Sequence, residues 1–307
     1  MKKVSLFLLL VLPLALAAQN QPTSAPSTPQ VALSNLAERQ QAPTYSDIYC
    51  AGFVSKENIP TTNHIIGGVQ SPHATKFTAP DTVYLAGSGF AVGNRYTVLR
   101  KVEDPNRQEM FPGQHKLLMN SGSEYADMGR IAITGMDKDV AIGEVEFSCQ
   151  ALAPGDFLVP FQEKTMVQFR NVKKPFQRFA PFSGTAGRII GGKDFDQVLG
   201  TGAKVYVNIG TNKGLKPGDY LRVTRNYDPK NMNPVDQLSL IPPYQEDTMK
   251  NPPVIKKDAG NKMPYRGIGE LIVLSVTPET ATAMVTFALE DMEVGDVVEI
   301  PARTGQQ

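Results

Sequence analysis

Residues 269–296 read GELIVLSVTPETATAMVTFALEDMEVGD, and residues 129–156 read GRIAITGMDKDVAIGEVEFSCQALAPGD, the same pattern 140 positions earlier without a gap. Identities fall at Gly129/Gly269, Ala141/Ala281, Val145/Val285, Phe147/Phe287, Gly155/Gly295 and Asp156/Asp296. The chain is therefore a tandem repeat. Each copy predicts strand, turn, strand, a tight Gly-Asp turn and a further strand. In the middle strand of the second copy, Ala281, Ala283, Val285 and Phe287 share one face, while Thr280, Thr282, Met284 and Thr286 share the other. The first copy keeps that parity with Ala141, Gly143, Val145 and Phe147. Because a one-residue slip would carry the apolar set to the wrong face, matched parity predicts one β design used twice.

The likeness extends upstream. Val83-Tyr84-Leu85 matches Val205-Tyr206-Val207. The stretch Gly93-Asn94-Arg95-Tyr96-Thr97-Val98-Leu99-Arg100 matches Gly218-Asp219-Tyr220-Leu221-Arg222-Val223-Thr224-Arg225. Asp104-Pro105 and Asp228-Pro229 then mark strand exit, since proline cannot continue a ladder. Five or six short strands per copy, punctuated by glycine turns, predict a small closed β-barrel or sandwich. Further upstream two registrations stay open. One places Ala51-Gly52-Phe53 on Ala186-Gly187-Arg188, and so Cys50 on Thr185. The other places the Ile-Ile-Gly-Gly of residues 65–68 on that of residues 189–192.

At the N-terminus, Lys2 and Lys3 precede an apolar run over residues 4–16, and Ala15-Leu16-Ala17 supplies small residues for signal peptidase. The run is shorter than the roughly 20 apolar residues a bilayer core requires. The expectation is a signal peptide over residues 1–17, no transmembrane segment after processing, and a periplasmic or extracellular (outer-surface) location. Residues 18–45 are rich in Pro, Ser and Gln and predict a flexible tether. Module 1 is then expected over residues 46–161, an aromatic-basic linker over 162–183, module 2 over 184–303, and a short tail over 304–307. Losing Lys2 and Lys3 shifts the formal net charge from +1 to −1. Such a balance gives no electrostatic case for nucleic acid or anionic lipid as a partner.

Cys50 and Cys149 are the only cysteines. In an oxidising compartment they predict one structural disulfide, closing a loop of about 100 residues in the first module. Cys149 matches Leu289, so the first registration also predicts that Thr185 and Leu289 are neighbours, and that reduction weakens the first module only.

Both copies carry a long excursion, over residues 101–128 and 226–268. Loops beyond about 15 residues are uncommon in compact domains unless functional or disordered. Their aromatic and imidazole side chains, Phe111, His115 and Tyr125 in the first and Tyr244 and Tyr265 in the second, are candidates for a binding surface; packing of each loop on its own barrel is the alternative. The inter-module segment, residues 161–182, interleaves Arg170, Lys173, Lys174 and Arg178 with Phe169, Phe176, Phe179 and Phe182. Such interleaving can bind polyanions or glycans by stacking and charge; the alternative is that the phenylalanines pin the linker against both barrels while the cations stay solvated. The candidates here are Arg170, Lys173, Lys174, Phe176, Arg178 and Phe179.

Catalytic patterns are missing: no G-x-S-x-G elbow, H-E-x-x-H, P-loop or dinucleotide fingerprint occurs. His64, His73 and His115 are the only histidines and lack metal-ligand spacing. No cofactor or metal site is expected. Asp156 and Asp296 follow glycine at tight turns, where the carboxylate bonds nearby backbone N–H groups.

Ala186-Gly187-Arg188-Ile189-Ile190, Leu199-Gly200-Thr201-Gly202, Val205-Tyr206-Val207-Asn208, Gly210, Gly214-Leu215-Lys216-Pro217-Gly218-Asp219-Tyr220 and Arg225, continued by Gly269-Glu270-Leu271 and Gly295-Asp296, resemble the small β-barrel module at the C-terminus of flagellar assembly protein T and in related exported bacterial envelope proteins, some of which also carry a LysM domain. The match thins over the first copy, where Phe90-Ala91-Val92-Gly93-Asn94 departs from the Gly-Leu-Lys-Pro-Gly-Asp turn. The resemblance implies an all-β chain of two tandem SH3-like barrels and names no partner. The resulting expectation is a non-enzymatic cell-envelope protein that binds or scaffolds an envelope protein partner. The alternative is a peptidoglycan or glycan module, which the absence of Trp disfavours. A secreted hydrolase, the third reading, would need one of the histidines beside an acid and a nucleophile in a cleft.

Overall fold

The computed structural model describes residues 40–105, 109–170, 176, 178, 179, 181, 186–225 and 265–301. Residues 1–39, Lys173, Lys174, Thr185, residues 226–264 with Tyr244, and residues 302–307 lie outside that set, so the expectations attached to them are not addressed below.

Alternation of β-branched and small residues between glycine turns produces six strands per copy. The first barrel comprises β2 (His64–Gly68), β3 (Thr82–Ala86), β4 (Arg95–Val102), β5 (Ser123–Asp137), β6 (Val140–Ser148) and β7 (Phe157–Pro160). A three-residue β1 (Phe53–Ser55) adds to the outside of β5. The second comprises β8 (Ala186–Gly192), β10 (Lys204–Val207), β11 (Tyr220–Arg225), β12 (Arg266–Val276), β13 (Ala281–Ala288) and β15 (Val297–Glu299), with β9 (Val198–Leu199) pairing β14 (Met292–Glu293) beside it. Every pairing is antiparallel, and each six-stranded barrel closes on itself, the first in the order β2-β3-β6-β5-β4-β7 and the second as β8-β10-β13-β12-β11-β15. Closure removes exposed sheet edges. The cores are the inward residues: Ile65, Leu85, Val98, Ile131 and Val145 in the first barrel, Ile189, Val207, Val223, Val273 and Val285 in the second.

Equivalent hydrogen bonds decide between the two upstream registrations. Ile65 N–H donates to Asp156 O and Gly155 N–H to Ile65 O; Ile189 N–H donates to Asp296 O and Gly295 N–H to Ile189 O. Ile65 also pairs with Leu85 and Gly68 with Val83, as Ile189 pairs with Val207 and Gly192 with Val205. The Ile-Ile-Gly-Gly registration holds, and the one placing Cys50 on Thr185 is corrected. The shared glycines at 129 and 269 have a common cause: a Cβ at either would strike the carbonyl of Phe147 or Phe287 across the sheet.

Both copies also repeat an ion pair. Arg100 Nε and Nη2 donate to the two carboxylate oxygens of Asp156 (2.6 and 2.8 Å), which also accepts Ala153 N–H (2.8 Å). Arg225 grips Asp296 in the same fork (2.8 and 2.8 Å), and Asp296 accepts Glu293 N–H (2.8 Å). Gly155 and Gly295, at φ 92° and 110°, provide the left-handed turn that aims each carboxylate inward. The turn role expected of these aspartates is present, and a charged partner accompanies it.

Thr280, Thr282, Met284 and Thr286 form the face of the β13 segment opposite the barrel core. All residues of β13 but the last are buried, because residues 40–55 cross it. In this strap, α1 (Tyr45–Tyr49) is capped by Thr44, whose side chain accepts Asp47 N–H while Asp47 returns the bond. Ile48 and Ala51 pack against Ile272, Leu274 and Met284. Thr282 Oγ1 donates to Gly52 O (2.9 Å), Thr280 Oγ1 donates to Val54 O, and Lys204 pairs with Asp47. The strap then enters the first barrel as β1 and is bonded there through Cys50–Cys149, the disulfide expected from the sequence. One segment thus packs on both barrels.

Candidate binding cleft

The first excursion is shorter than its sequence suggests. Strand β4 runs on to Val102 and β5 starts at Ser123, with Lys101 opposite Tyr125 and Val102 opposite Glu124. Tyr125 is consequently a core residue, only 4% exposed, stacked on Phe53 and edge-on to Phe157. Its candidacy for a binding surface is corrected: the alternating pattern of β5 continues through a stretch taken for a loop.

Between those strands the chain forms α2 (Gln114–Ser121). Its first turn is held by Glu109, whose carboxylate accepts Gly113 N–H (3.1 Å) and His115 N–H (2.9 Å). These bonds hold Glu109 below the ordinary carboxylate range. Leu117 and Leu118 pack on Val54, Ile190 and Tyr206. Met110 and Phe111 pack against the core of the second barrel, with the Phe111 ring lying where a side chain at Gly295 would project. The excursion therefore leaves its own barrel for the other one.

A cleft of about 550 Å³ opens where it lands, between the start of α2 and strands β8 and β15. Two sequence candidates meet there: Phe111 from the first excursion, and Tyr265, 40% exposed, from the end of the second. Arg188 lines the same cleft. Its backbone N–H donates to Asn208 Oδ1 (2.6 Å), its Nη1 donates to Gly295 O (2.9 Å), and its guanidinium carbon sits 5.6 Å from the centre of the Phe111 ring. That is a cation–π distance. Arg188, Asn208 and Leu117 were not singled out from the sequence. Arg188 lies in an ordinary strand pattern, and nothing local marks it as facing α2. His115 is exposed on α2 beside Glu109.

Three of the linker candidates, Arg170, Phe176 and Arg178, contact the second barrel, whereas Lys164 earlier in the linker pairs with Asp127 of the first. Arg170 N–H donates to the Tyr220 hydroxyl (2.6 Å) and its guanidinium lies 4.8 Å above that ring. Phe176 packs 5.6 Å from Phe287, Arg178 pairs with Glu290, and the Arg178 carbonyl accepts Gly267 N–H. Phe179 is 66% exposed. The pinning alternative thus describes Phe176, while the cations Arg170 and Arg178, which that alternative left solvated, are engaged by Tyr220 and Glu290.

His64 Nδ1 contacts Thr62 O, and His73 is exposed in the turn after β2. Among the described residues no group of three or more His, Cys, Asp or Glu could hold a metal, and no helix is long and apolar enough to cross a membrane.

One ionisable group between the barrels is strongly perturbed. Glu124 faces Tyr206, with Asp104, Asp194 and Lys193 nearby. Burial, reinforced by the two aspartates and opposed by the Tyr206 hydroxyl and Lys193, pushes its carboxyl up to about 7. Burial, then Glu124 itself, drives the Tyr206 phenol well above its ordinary value. A carboxyl raised above its unfolded value holds a proton that the unfolded chain has released, so stability falls as pH climbs from the unfolded value towards about 7. Glu270, also raised by burial, adds to that fall. Asp47, which burial alone would raise, is held low by Lys204 and Thr44 and acts oppositely. Glu124→Gln is therefore expected to flatten the decline: thermal melts should show the variant gaining on the parent between about pH 5 and about pH 8. A constant difference would contradict the buried, protonated state.

No protein-family model matches the chain, and no curated protein matches it.

Proposed function

We propose that the protein is an exported, non-enzymatic component of the bacterial cell envelope that binds or scaffolds an envelope protein, with the cleft beside α2 as its working surface. The observation that carries this reading is the convergence of both excursions: Phe111 crosses from the first module to the second barrel and lines one cleft with Tyr265 and Arg188. Concave sites lined by aromatic and apolar groups with a few polar groups are the usual form of a binding pocket. The resemblance of residues 186–225 to SH3-like modules of exported envelope proteins, flagellar assembly protein T among them, agrees with this reading and assigns no partner. Placement in the periplasm or on the outer surface rests on the signal-like residues 1–17.

The test is a pull-down from envelope extract with the chain starting at Ala18, run beside binding to purified peptidoglycan sacculi. A protein partner is expected, with retention falling at least about tenfold for Phe111→Ala or Tyr265→Ala, the range of an aromatic anchor in an interface. Melting curves of both variants separate lost binding from lost folding. Retention on sacculi that is lost with Phe179→Ala and indifferent to the cleft variants would replace this reading with the glycan one.

A further inference from the structure

We infer that the cleft recognises a protein segment carrying a carboxylate next to an apolar side chain, with Arg188 as the anion receptor. The inference rests on the binding reading of the same cleft and deepens it. Arg188 is half-buried, and none of the residues lining the cleft is acidic. No carboxylate lies within ion-pair distance of its guanidinium among the described residues, whereas Arg100, Arg222 and Arg225 each hold one. Its side chain bonds a carbonyl, Gly295 O, through Nη1. The remaining donors of the planar fork match the geometry of a carboxylate. Phe111 beneath the guanidinium fixes its plane without neutralising it.

The rest of the lining favours a peptide over a sugar. Phe111, Pro112, Leu117, Tyr265 and Val297 present apolar surface to an apolar side chain. Asn208 is the only carboxamide there, and its Oδ1 is already taken by Arg188 N–H. Sugar hydroxyls would find few partners; a carboxylate flanked by an aliphatic or aromatic group would satisfy both halves of the cleft.

The experiment is a selection from a random heptapeptide library with free C-termini on the chain starting at Ala18, followed by titration of the enriched peptide. Enrichment of an Asp, Glu or terminal carboxylate next to an apolar residue is expected. Amidating that carboxylate should weaken binding about 10- to 100-fold, the range for a hydrogen-bonded ion pair. Arg188→Gln should produce the same loss, and against this variant the acid and amide forms should bind alike. The peptide-side change leaves the protein untouched, so the result stands even if Arg188→Gln folds poorly. Enriched peptides that bind equally as acid and amide, yet lose affinity with Phe111→Ala, would overturn the carboxylate inference and leave the binding cleft standing. A selection with no peptide sensitive to either variant, or enrichment replaced by retention on sacculi, would overturn both.

Discussion

Replacing Cys50 and Cys149 together by serine is expected to lower the stability of the whole described chain by roughly 4–5 kcal/mol, in one transition. The bond spans 99 residues, and in the chain-entropy model a loop of that size is worth about 4.7 kcal/mol. What makes the loss global is where Cys50 sits. It follows α1, whose Ile48 packs on Ile272, Leu274 and Met284 of the second barrel, while Cys149 follows β6 of the first. Freeing Cys50 loosens the strap on both sides: the Thr282 bond to Gly52 and the Thr280 bond to Val54 share the segment with the disulfide. Calorimetry should show a single peak moving down in temperature. Two peaks, with only the lower one displaced, would mean that the barrels are independent, as the sequence taken alone suggested.

The second large effect is expected at the repeated ion pairs. Asp156→Ala and Asp296→Ala should each cost about 3 kcal/mol, the lower end for breaking a buried pair, because the arginines keep partial access to water. The aspartates are 3% and 7% exposed, and each accepts a backbone N–H as well as the guanidinium fork. Removing the carboxylate takes the fork's charged partner from a part-buried arginine and leaves the turn N–H of Ala153 or Glu293 without its acceptor. Asp219→Ala is the control: among the described residues the Asp219 carboxylate accepts Lys216 N–H and has no charged partner at a comparable Gly-Asp turn, so about 1 kcal/mol is expected. Urea denaturation measures all three. Equal losses at positions 156, 219 and 296 would reduce the ion pairs to ordinary turn aspartates.

The repeat carried most of the fold. Parity in residues 141–147 and 281–287, with glycines where strands cross closely, encodes two closed barrels because period-2 burial and positive-φ turns are local properties. The disulfide was legible too, since two cysteines allow a single intramolecular pairing. The outer surface of the barrels was not. Thr280, Thr282 and Met284 stand on the face opposite the apolar one in sequence; what buries them is a segment more than 220 residues away. Tyr125 looked like a loop aromatic only because the excursion was cut at the last residues the two copies share, whereas β5 starts six residues before Gly129. At the cleft, Phe111 and Tyr265 were visible as aromatics in long insertions. Arg188 was not, because its significance comes from α2 folding over it, a contact between modules that neither copy encodes alone.

The measurement that bears most directly on the cleft is site-specific photocrosslinking in the native envelope. A photoreactive phenylalanine analogue would replace Tyr265 in the cleft, Phe179 on the linker or Val92, 62% exposed on the first barrel. Position 265 is expected to give a covalent adduct with a protein, abolished by Arg188→Gln, while positions 92 and 179 give none. Adducts from 92 or 179 with none from 265 would contradict the assignment of the cleft as the working surface.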